Sequence, residues 1–329
     1  MNCYLYKLSF RTPLHCGAGE SAKSLDSSSA SICADTLFSA LCSQAAVDGG
    51  PEAASELCAA AKEGEALFSD LFPYHGEELY IPKPAMLPAA FSETLAADKK
   101  KVMKSLEYIP ILKLDDYASS MRGKAAFEID GIFKDFASAE SIEKVSLKGR
   151  EESSPYCVAA TVFNAKCGLY GIVLSENQEI LTKIKRLLRL LGAGGIGGKV
   201  SSGYGKFKIL GDEIEMENIN EAVDAQTTAL WRMLSAENAA SYLSLTTSLP
   251  TDGELEEALT GALTTVRRRG GFVTSEEYGA ARKKDTQYFL GAGSLFRRKY
   301  KGSLYNVASG GAHPVYRYSK PIFLGVDYQ

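Results

Sequence analysis

Gly195-Ile196-Gly197-Gly198-Lys199-Val200-Ser201-Ser202-Gly203-Tyr204-Gly205 is the stretch on which the reading of this chain turns. It holds two glycine-apolar-glycine units separated by five residues. Glycine admits positive φ and lets another backbone approach closely. Successive amides in such a loop can face one phosphate. Lys199, Ser201 and Ser202 add a charge and two hydroxyls. The pattern is not a Walker A loop, because no Gly-Lys-Ser or Gly-Lys-Thr follows four residues after a first glycine, and not a dinucleotide fingerprint, because a predicted helix precedes it and a predicted strand follows. A tight helix-to-strand connection, with glycine for packing alone, is the competing account of the same residues.

Working outward, residues 177–191 read as a helix with Ile180, Ile184, Leu187, Leu188 and Leu191 on one stripe. Gly192 is its expected C-cap. Its cations suit the helix dipole without any ligand. A strand at 204–210 and an acidic linker at 211–222 follow. Upstream, residues 156–174 read as two strands joined near Asn164-Ala165-Lys166, and the alternating residues 3–11 read as another. Asp35 is the expected N-cap of a helix over 36–47, and residues 52–68 form a second, alanine-rich helix. Residues 73–90, with Pro73, Pro82, Pro84 and Pro88, read as extended and irregular. Residues 120–155 are polar and serine-rich and read as an inserted excursion. The order strand, helix, two strands, helix, strand is that of the split βαβ unit. Residues 225–329 form a second α/β unit. Its strands are expected near 241–248, 263–273, 287–297, 302–307 and 321–328, with a short helix at 252–261. The expected class is α+β, with two ferredoxin-like (RRM-like) domains at 1–212 and 225–329.

Composition narrows the function. The chain has 329 residues, which suits two domains. Hydrophobic residues are 45% and charged residues 23%, ordinary for a globular protein. No apolar run reaches the roughly 18–20 residues of a membrane span. Residues 1–7 do not resemble a signal peptide, so the expected location is the cytoplasm, with no membrane partner. The cysteines (Cys3, Cys16, Cys33, Cys42, Cys58, Cys157, Cys167) show no CxxC spacing, and His15, His75 and His313 lie far apart. No metal and no cofactor are expected. A net charge of -3 argues against indiscriminate nucleic-acid binding. Two zones run the other way. Residues 181–210 carry Lys183, Lys185, Arg186, Arg189, Lys199, Lys206 and Lys208 and no acid. Residues 262–301 carry Arg267, Arg268, Arg269, Arg282, Lys283, Lys284, Arg297, Arg298, Lys299 and Lys301 against Glu276, Glu277 and Asp285. Local patches of this kind suit one polyanion held in one place.

The helix, glycine loop and strand together resemble the RAMP superfamily, the ferredoxin-like RNA-binding proteins of CRISPR systems. Other segments are similar to one family within it, subunit four of the Csm-type, type III-A effectors. They are Leu14-His15-Cys16-Gly17 with Asp35 to Leu41, Phe72-Pro73-Tyr74 with Tyr80-Ile81-Pro82-Lys83-Pro84, and Lys101 to Pro110. Lys148-Gly149-Arg150 through Gly168-Leu169-Tyr170, Gly291 to Phe296, and His313 to Tyr318 continue the likeness. It runs from about residue 5 to residue 326.

The resemblance implies a non-catalytic, crRNA-binding subunit of an antiviral ribonucleoprotein. Such a subunit holds the crRNA 5′ handle and bridges the large polymerase-cyclase subunit to the backbone RAMP subunit. It meets target RNA through the assembled complex. The resemblance also implies a thumb-like insertion in the first domain, for which residues 80–155 are the candidate. Gly195, Gly197, Gly198, Lys199, Ser201, Ser202 and Gly203 are then expected at handle phosphates, and Tyr204 on a base. Lys148, Arg150 and Lys83 are further RNA candidates. Arg267, Arg268 and Arg269 are RNA candidates as well, or could serve the large subunit's acidic surface; they alternate across a strand, so at most two can face one ligand. His15 is expected to contact RNA or to serve structure. Two other readings are a crRNA-processing endoribonuclease that uses His15 as acid or base, and a protein-interaction scaffold.

Overall fold

The computed structural model describes residues 2–17, 25–88, 101, 103–128, 131–132, 135–146, 154–216, 224–273, 275, 282–308, 311 and 313–328. The architecture starts from β1 (Asn2–Phe10), whose residues 3–6 are all buried. Alternate side chains leave opposite faces of a strand, so such a run means burial on both sides. Tyr4, Tyr6 and Leu8 enter one core, with α1 (Ala34–Glu63) and α3 (Gln178–Gly194). Cys3 and Leu5 enter a second core, with Leu230, Leu243, Leu245, Ile322 and Leu324 of the C-terminal half. One sheet thus separates two cores, and the second core joins the halves of the chain.

That sheet has seven strands, and every pairing in it is antiparallel. The order is β5 (Tyr108–Pro110), β4 (Glu78–Pro82), β3 (Phe72–His75), β8 (Cys167–Ser175), β1, β9 (Phe207–Met216), and β2 (Leu67–Phe68) also pairs with β8. The proline-bearing stretch expected to be irregular therefore contains a hairpin, β3–β4. Pro73 and Pro82 are accommodated because both strands are short and lie toward the sheet margin. Residues 211–216, expected in a linker, continue β9; residues 217–222 lie outside the described residues.

Of the excursion expected over 80–155, one part adds β4, β5 and α2 (Leu114–Met121) to the sheet margin. Another part is a separate hairpin, β6 (Ala137–Ser146) with β7 (Ser154–Phe163), paired over ten positions. α1 is broken at Gly49 (φ -136, ψ 15) and Gly50 (φ 81, ψ -179), with Pro51 opening the second arm. Its N-cap is Cys33, not Asp35, and Asp70 Oδ1 accepts the Ala34 amide at 2.8 Å. α3 runs to Gly194, so Gly192 is helical and Gly195 is the C-cap. Asn177 caps its start by accepting the amides of Glu179 and Ile180.

The C-terminal half opens with α4 (Ala225–Leu234) and has a three-stranded sheet ordered β13 (Leu295–Phe296), β10 (Ser241–Ser244), β16 (Phe323–Val326). α5 (Leu255–Leu259) follows β10. Two hairpins complete the half: β11 (Val266–Arg269) with β12 (Gln287–Leu290), and β14 (Ser303–Asn306) with β15 (Tyr316–Ser319). Tyr318 of β15 reaches back into the first core, with its ring 5.2 Å from Phe38, and its hydroxyl accepts the Phe68 amide at 2.9 Å.

Candidate nucleic-acid interface

The glycine loop closes on itself and on the segment after β1. Ile196 donates its amide to Gly205 at 3.0 Å, Gly198 to His15 at 2.7 Å, and Gly205 to Pro13 at 2.9 Å. A Cβ on Gly205, at φ 71, would stand 1.9 Å from the Ile196 carbonyl oxygen. A Cβ on Gly198 would stand 2.7 Å from His15 Cδ2. These two glycines are therefore required by the loop's own closure. Between them Lys199 takes a left-handed conformation (φ 61, ψ 23), a 3-10 turn covers Val200–Ser202, and Gly203 is left-handed again. Among the described residues, the amides of Gly197, Lys199, Val200 and Ser201 take no hydrogen bond. Val200, Ser201 and Ser202 are exposed. Four amides without a partner, two exposed hydroxyls and an ammonium thus lie on one short turn, and donors of this kind suit an anion.

His15 lies between this loop and β7. Leu14 and Thr161 exchange backbone hydrogen bonds at 2.9 and 2.7 Å. His15 Nδ1 lies 2.6 Å from the Ala159 carbonyl oxygen. A carbonyl only accepts, so Nδ1 carries the proton. His15 is buried, and its ring is a strut between loop and hairpin. No other titratable side chain is hydrogen-bonded to it among the described residues.

Tyr204, expected to stack on a base, is 4% exposed and packs against Val158 and Ala160 of β7. Lys144 Nζ lies 4.5 Å from its ring centroid, and Lys199 Nζ lies 5.0 Å from that of Tyr156. Aromatic faces attract cations, so these contacts fix the hairpin beneath the loop. Lys148 and Arg150 lie outside the described residues.

The first basic zone divides. Lys183 pairs with Glu56 at 2.5 Å, Arg186 pairs with Asp48 at 2.9 Å, and Lys185 is buried over Tyr4. Lys183 and Arg186 thus serve the packing of α3 on α1, and Lys185 its packing on β1. Lys206, just before β9, and Lys208 on it are exposed at the open margin of the sheet, with no ion pair among the described residues. They follow the glycine loop directly. The sequence placed them in the zone but gave no reason to single them out.

The second zone is built differently. Arg267 and Arg269 sit opposite Phe289 and Gln287, and Arg268 sits opposite Tyr288. Phe289 is fully buried and Tyr288 is 62% exposed, so Arg268 shares the outer face and Arg269 turns inward. Arg269 donates Nε at 3.0 Å and Nη2 at 2.6 Å to the Asp35 carboxylate, and Nη2 to Thr36 at 2.9 Å. Arg317 Nε is 3.7 Å from the same carboxylate. Its other nitrogens donate to the carbonyls of Arg269, Gly270 and Asp285 and to Gln287. Burial works against the charge on Asp35, but the arginines outweigh it and hold its carboxyl below the usual range. Lys284 completes the cluster: burial, then repulsion by Arg317 and Arg269, push its ammonium down despite Asp35. One carboxylate thus faces three cations. Burial raises the Cys16 thiol to about 11 and Arg269 pulls it back, which places the arginine beside the residue after His15. Lys83 lies elsewhere, and its ammonium donates to the Met103 and Lys104 carbonyls at 3.0 and 3.2 Å. No group of metal-binding side chains occurs among the described residues. No helix among them is long and apolar enough to cross a membrane.

Comparison with known proteins gives this geometry a context. Residues 237–326 match the family model of the CRISPR Csm4 C-terminal domain. A protein of Mycobacterium tuberculosis named as the CRISPR system protein Csm4 is 34% identical over 314 residues, covering 92% of each chain. Its namesake from Streptococcus thermophilus is 28% identical over 99% of this chain and all of its own length. Among solved structures, the Csm1-Csm4 cassette in complex with cA4 matches with a TM-score of 0.60 at 20% identity, over 100% of this chain and 99% of that one. The Csm3-Csm4 subcomplex of a type III-A CRISPR-Cas interference complex matches with a TM-score of 0.61 at 17% identity, over 99% of each chain. The α+β fold is therefore that of a subunit of a type III CRISPR-Cas complex. The chain belongs to the Csm4 family.

Proposed function

We propose that this chain holds the 5′ handle of a crRNA and bridges the large polymerase-cyclase subunit of a type III-A complex to its backbone subunit, without catalysing a reaction itself. The observation that carries the RNA reading is the loop over 197–202, which carries four unbonded amides, two exposed hydroxyls and Lys199 on one turn. Phosphates fix the register of a bound strand, and backbone amides are suited to hold them. Lys206 and Lys208 extend the positive surface along β9.

The first unit is ferredoxin-like in this reading, because β9, β1, β8 and β2 or β3 stand in the spatial order 4-1-3-2 of a split βαβ unit. The second unit departs from that plan: a β-hairpin, β14–β15, stands between β13 and β16 where a helix would be. The bridging role is supported by relatives solved with Csm1 and with Csm3. Binding rather than cutting is favoured because the His15 ring is engaged with Ala159, and among the described residues no acid or base side chain is hydrogen-bonded to it. The expected setting is the cytoplasm, where crRNA is assembled.

The test is a salt-series binding assay with a short RNA carrying the repeat-derived handle, compared with a scrambled RNA of equal length. It is run with and without the large subunit, and RNA integrity is read on the same samples. Handle-selective binding of intact RNA, with a shallower salt slope in Lys199→Ala, supports the reading. Cut RNA moves the answer to an endoribonuclease and makes His15 the residue to change. Intact RNA bound no better than the scramble, even with the large subunit present, leaves a protein scaffold.

A further inference from the structure

The break in α1 brings two sulfurs together. A continuous helix would separate residues 42 and 58 by about 24 Å, at roughly 1.5 Å per residue. Instead Cys42 Sγ and Cys58 Sγ are 3.7 Å apart, because the chain reverses at Gly49–Gly50 and lays one arm on the other. Partly buried Ala53 and Ala54 pack with them against the first core, and these small side chains permit the close approach. Both cysteines are half-buried. Either sulfur can donate to the other, and the contact pulls Cys58 down toward thiolate and, with burial, pushes Cys42 up. Cys3, Cys16 and Cys33 are driven the other way by burial, and Cys157 is exposed on β7.

We propose that Cys42 and Cys58 form a peroxide-sensitive pair that closes reversibly to a disulfide within one chain. The Cys58 thiolate attacks one oxygen of a hydroperoxide and the O–O bond breaks. The departing alkoxide or hydroxide takes up a proton, and Cys58 is left as a sulfenic acid. The Cys42 sulfur then attacks the Cys58 sulfur, the S–O bond breaks, and water leaves with the Cys42 proton. Two thiols lose two electrons in total, and the peroxide gains them. The sulfurs close from 3.7 Å to the roughly 2.05 Å of a disulfide. The link ties the arm bearing Asp48 to the arm bearing Glu56. Each already holds α3, through Arg186 and Lys183, around a cavity of about 230 Å³.

The experiment uses the folded full-length chain. It is exposed to graded hydrogen peroxide, blocked with a maleimide, digested and read by mass spectrometry. The expected product is a peptide pair linked through Cys42 and Cys58, lighter by two hydrogens and reversed by dithiothreitol. Alkylation is lost at both positions together, and the melting temperature of the linked protein rises. In Cys42→Ser and Cys42→Ala the reaction stops at a Cys58 sulfenic acid, trapped by dimedone. The proposal is overturned if Cys42 and Cys58 both remain alkylated at peroxide levels that oxidise Cys157. It is also overturned if the bridge that forms uses another cysteine.

Discussion

Two hairpins outside the main sheet are held to the body by opposite means. β6–β7 is long, paired over ten positions, and rests on the glycine loop through Tyr204, Val158 and Ala160. Its cations, Lys144 from the hairpin and Lys199 from the loop, meet aromatic rings. β11–β12 is short, paired over four positions, and is fixed by Arg269 on Asp35 and Arg317 on its carbonyls. The first attachment depends on shape and backbone closure. The second depends on charge taken out of water. A shape-held contact degrades gradually as atoms are removed, whereas a buried charge left unpaired is expensive at once. Substitutions at the two attachments should therefore differ in size and in pH dependence.

The largest effect is expected at Asp35. Asp35→Ala leaves Arg269, Arg317 and Lys284 without their shared carboxylate and should cost about 3–5 kcal/mol in urea unfolding. Asp35→Asn tests the electrostatic part. The folded carboxyl is depressed, so its contribution is fully present above the ordinary carboxylate range and is lost as pH falls through the folded value. The stability gap between wild type and Asp35→Asn should shrink on the acid side. Asp70, shifted upward by burial, is common to both proteins and cancels in the difference. A gap that stays constant from neutral to acid pH would mean that this hairpin is not held by charge.

The loop supplies the contrasting pair. Gly205→Ala puts a methyl against the Ile196 carbonyl at a positive φ and should cost about 3 kcal/mol. Gly203→Ala has the same kind of φ (88) but nothing within 4 Å, and should cost about 1 kcal/mol. Equal losses at the two positions would show that backbone strain, rather than closure against neighbours, limits the loop.

What the sequence disclosed follows the same division. α3 was legible because one-sided burial imposes a helical period on its residues, and β1 and β8 because burial on both faces makes them short runs of apolar and aromatic residues. The glycine loop was legible as a motif. That Gly198 and Gly205 serve contacts with His15 and Ile196 was not, since those partners become neighbours only on folding. β6 was missed because Ala-Ser-Ala-Glu-Ser-Ile-Glu-Lys lacks an apolar face of its own and gains its order from β7. Asp35 read as a cap because a helix-start acid needs no further explanation. Its partner Arg269 lies 234 residues away, and nothing local announces it. Arg269, expected as an RNA candidate, is committed to that pair, whereas Lys206 and Lys208 came to notice only through their place at the open margin of the sheet.

Lys199 is where the two modes of attachment meet, and it has the smallest expected effect on stability. Its ammonium rests over the exposed side of the loop–hairpin junction, near Tyr156, and has no carboxylate partner among the described residues. A partly exposed cation–aromatic contact is worth about 0.5–1 kcal/mol, so Lys199→Ala should stay within about 1 kcal/mol of wild type in urea. Its left-handed backbone adds a small opposing preference for glycine, and Lys199→Gly should be at least as stable as Lys199→Ala. If a phosphate is held at the loop, the same substitution removes about one counterion released on binding. The slope of log K against log salt should then fall by about 0.7 for single-stranded RNA. An unchanged slope with a small loss of stability would confine Lys199 to bracing Tyr156, and would shift the search for phosphate contacts to Lys206 and Lys208 at the start of β9.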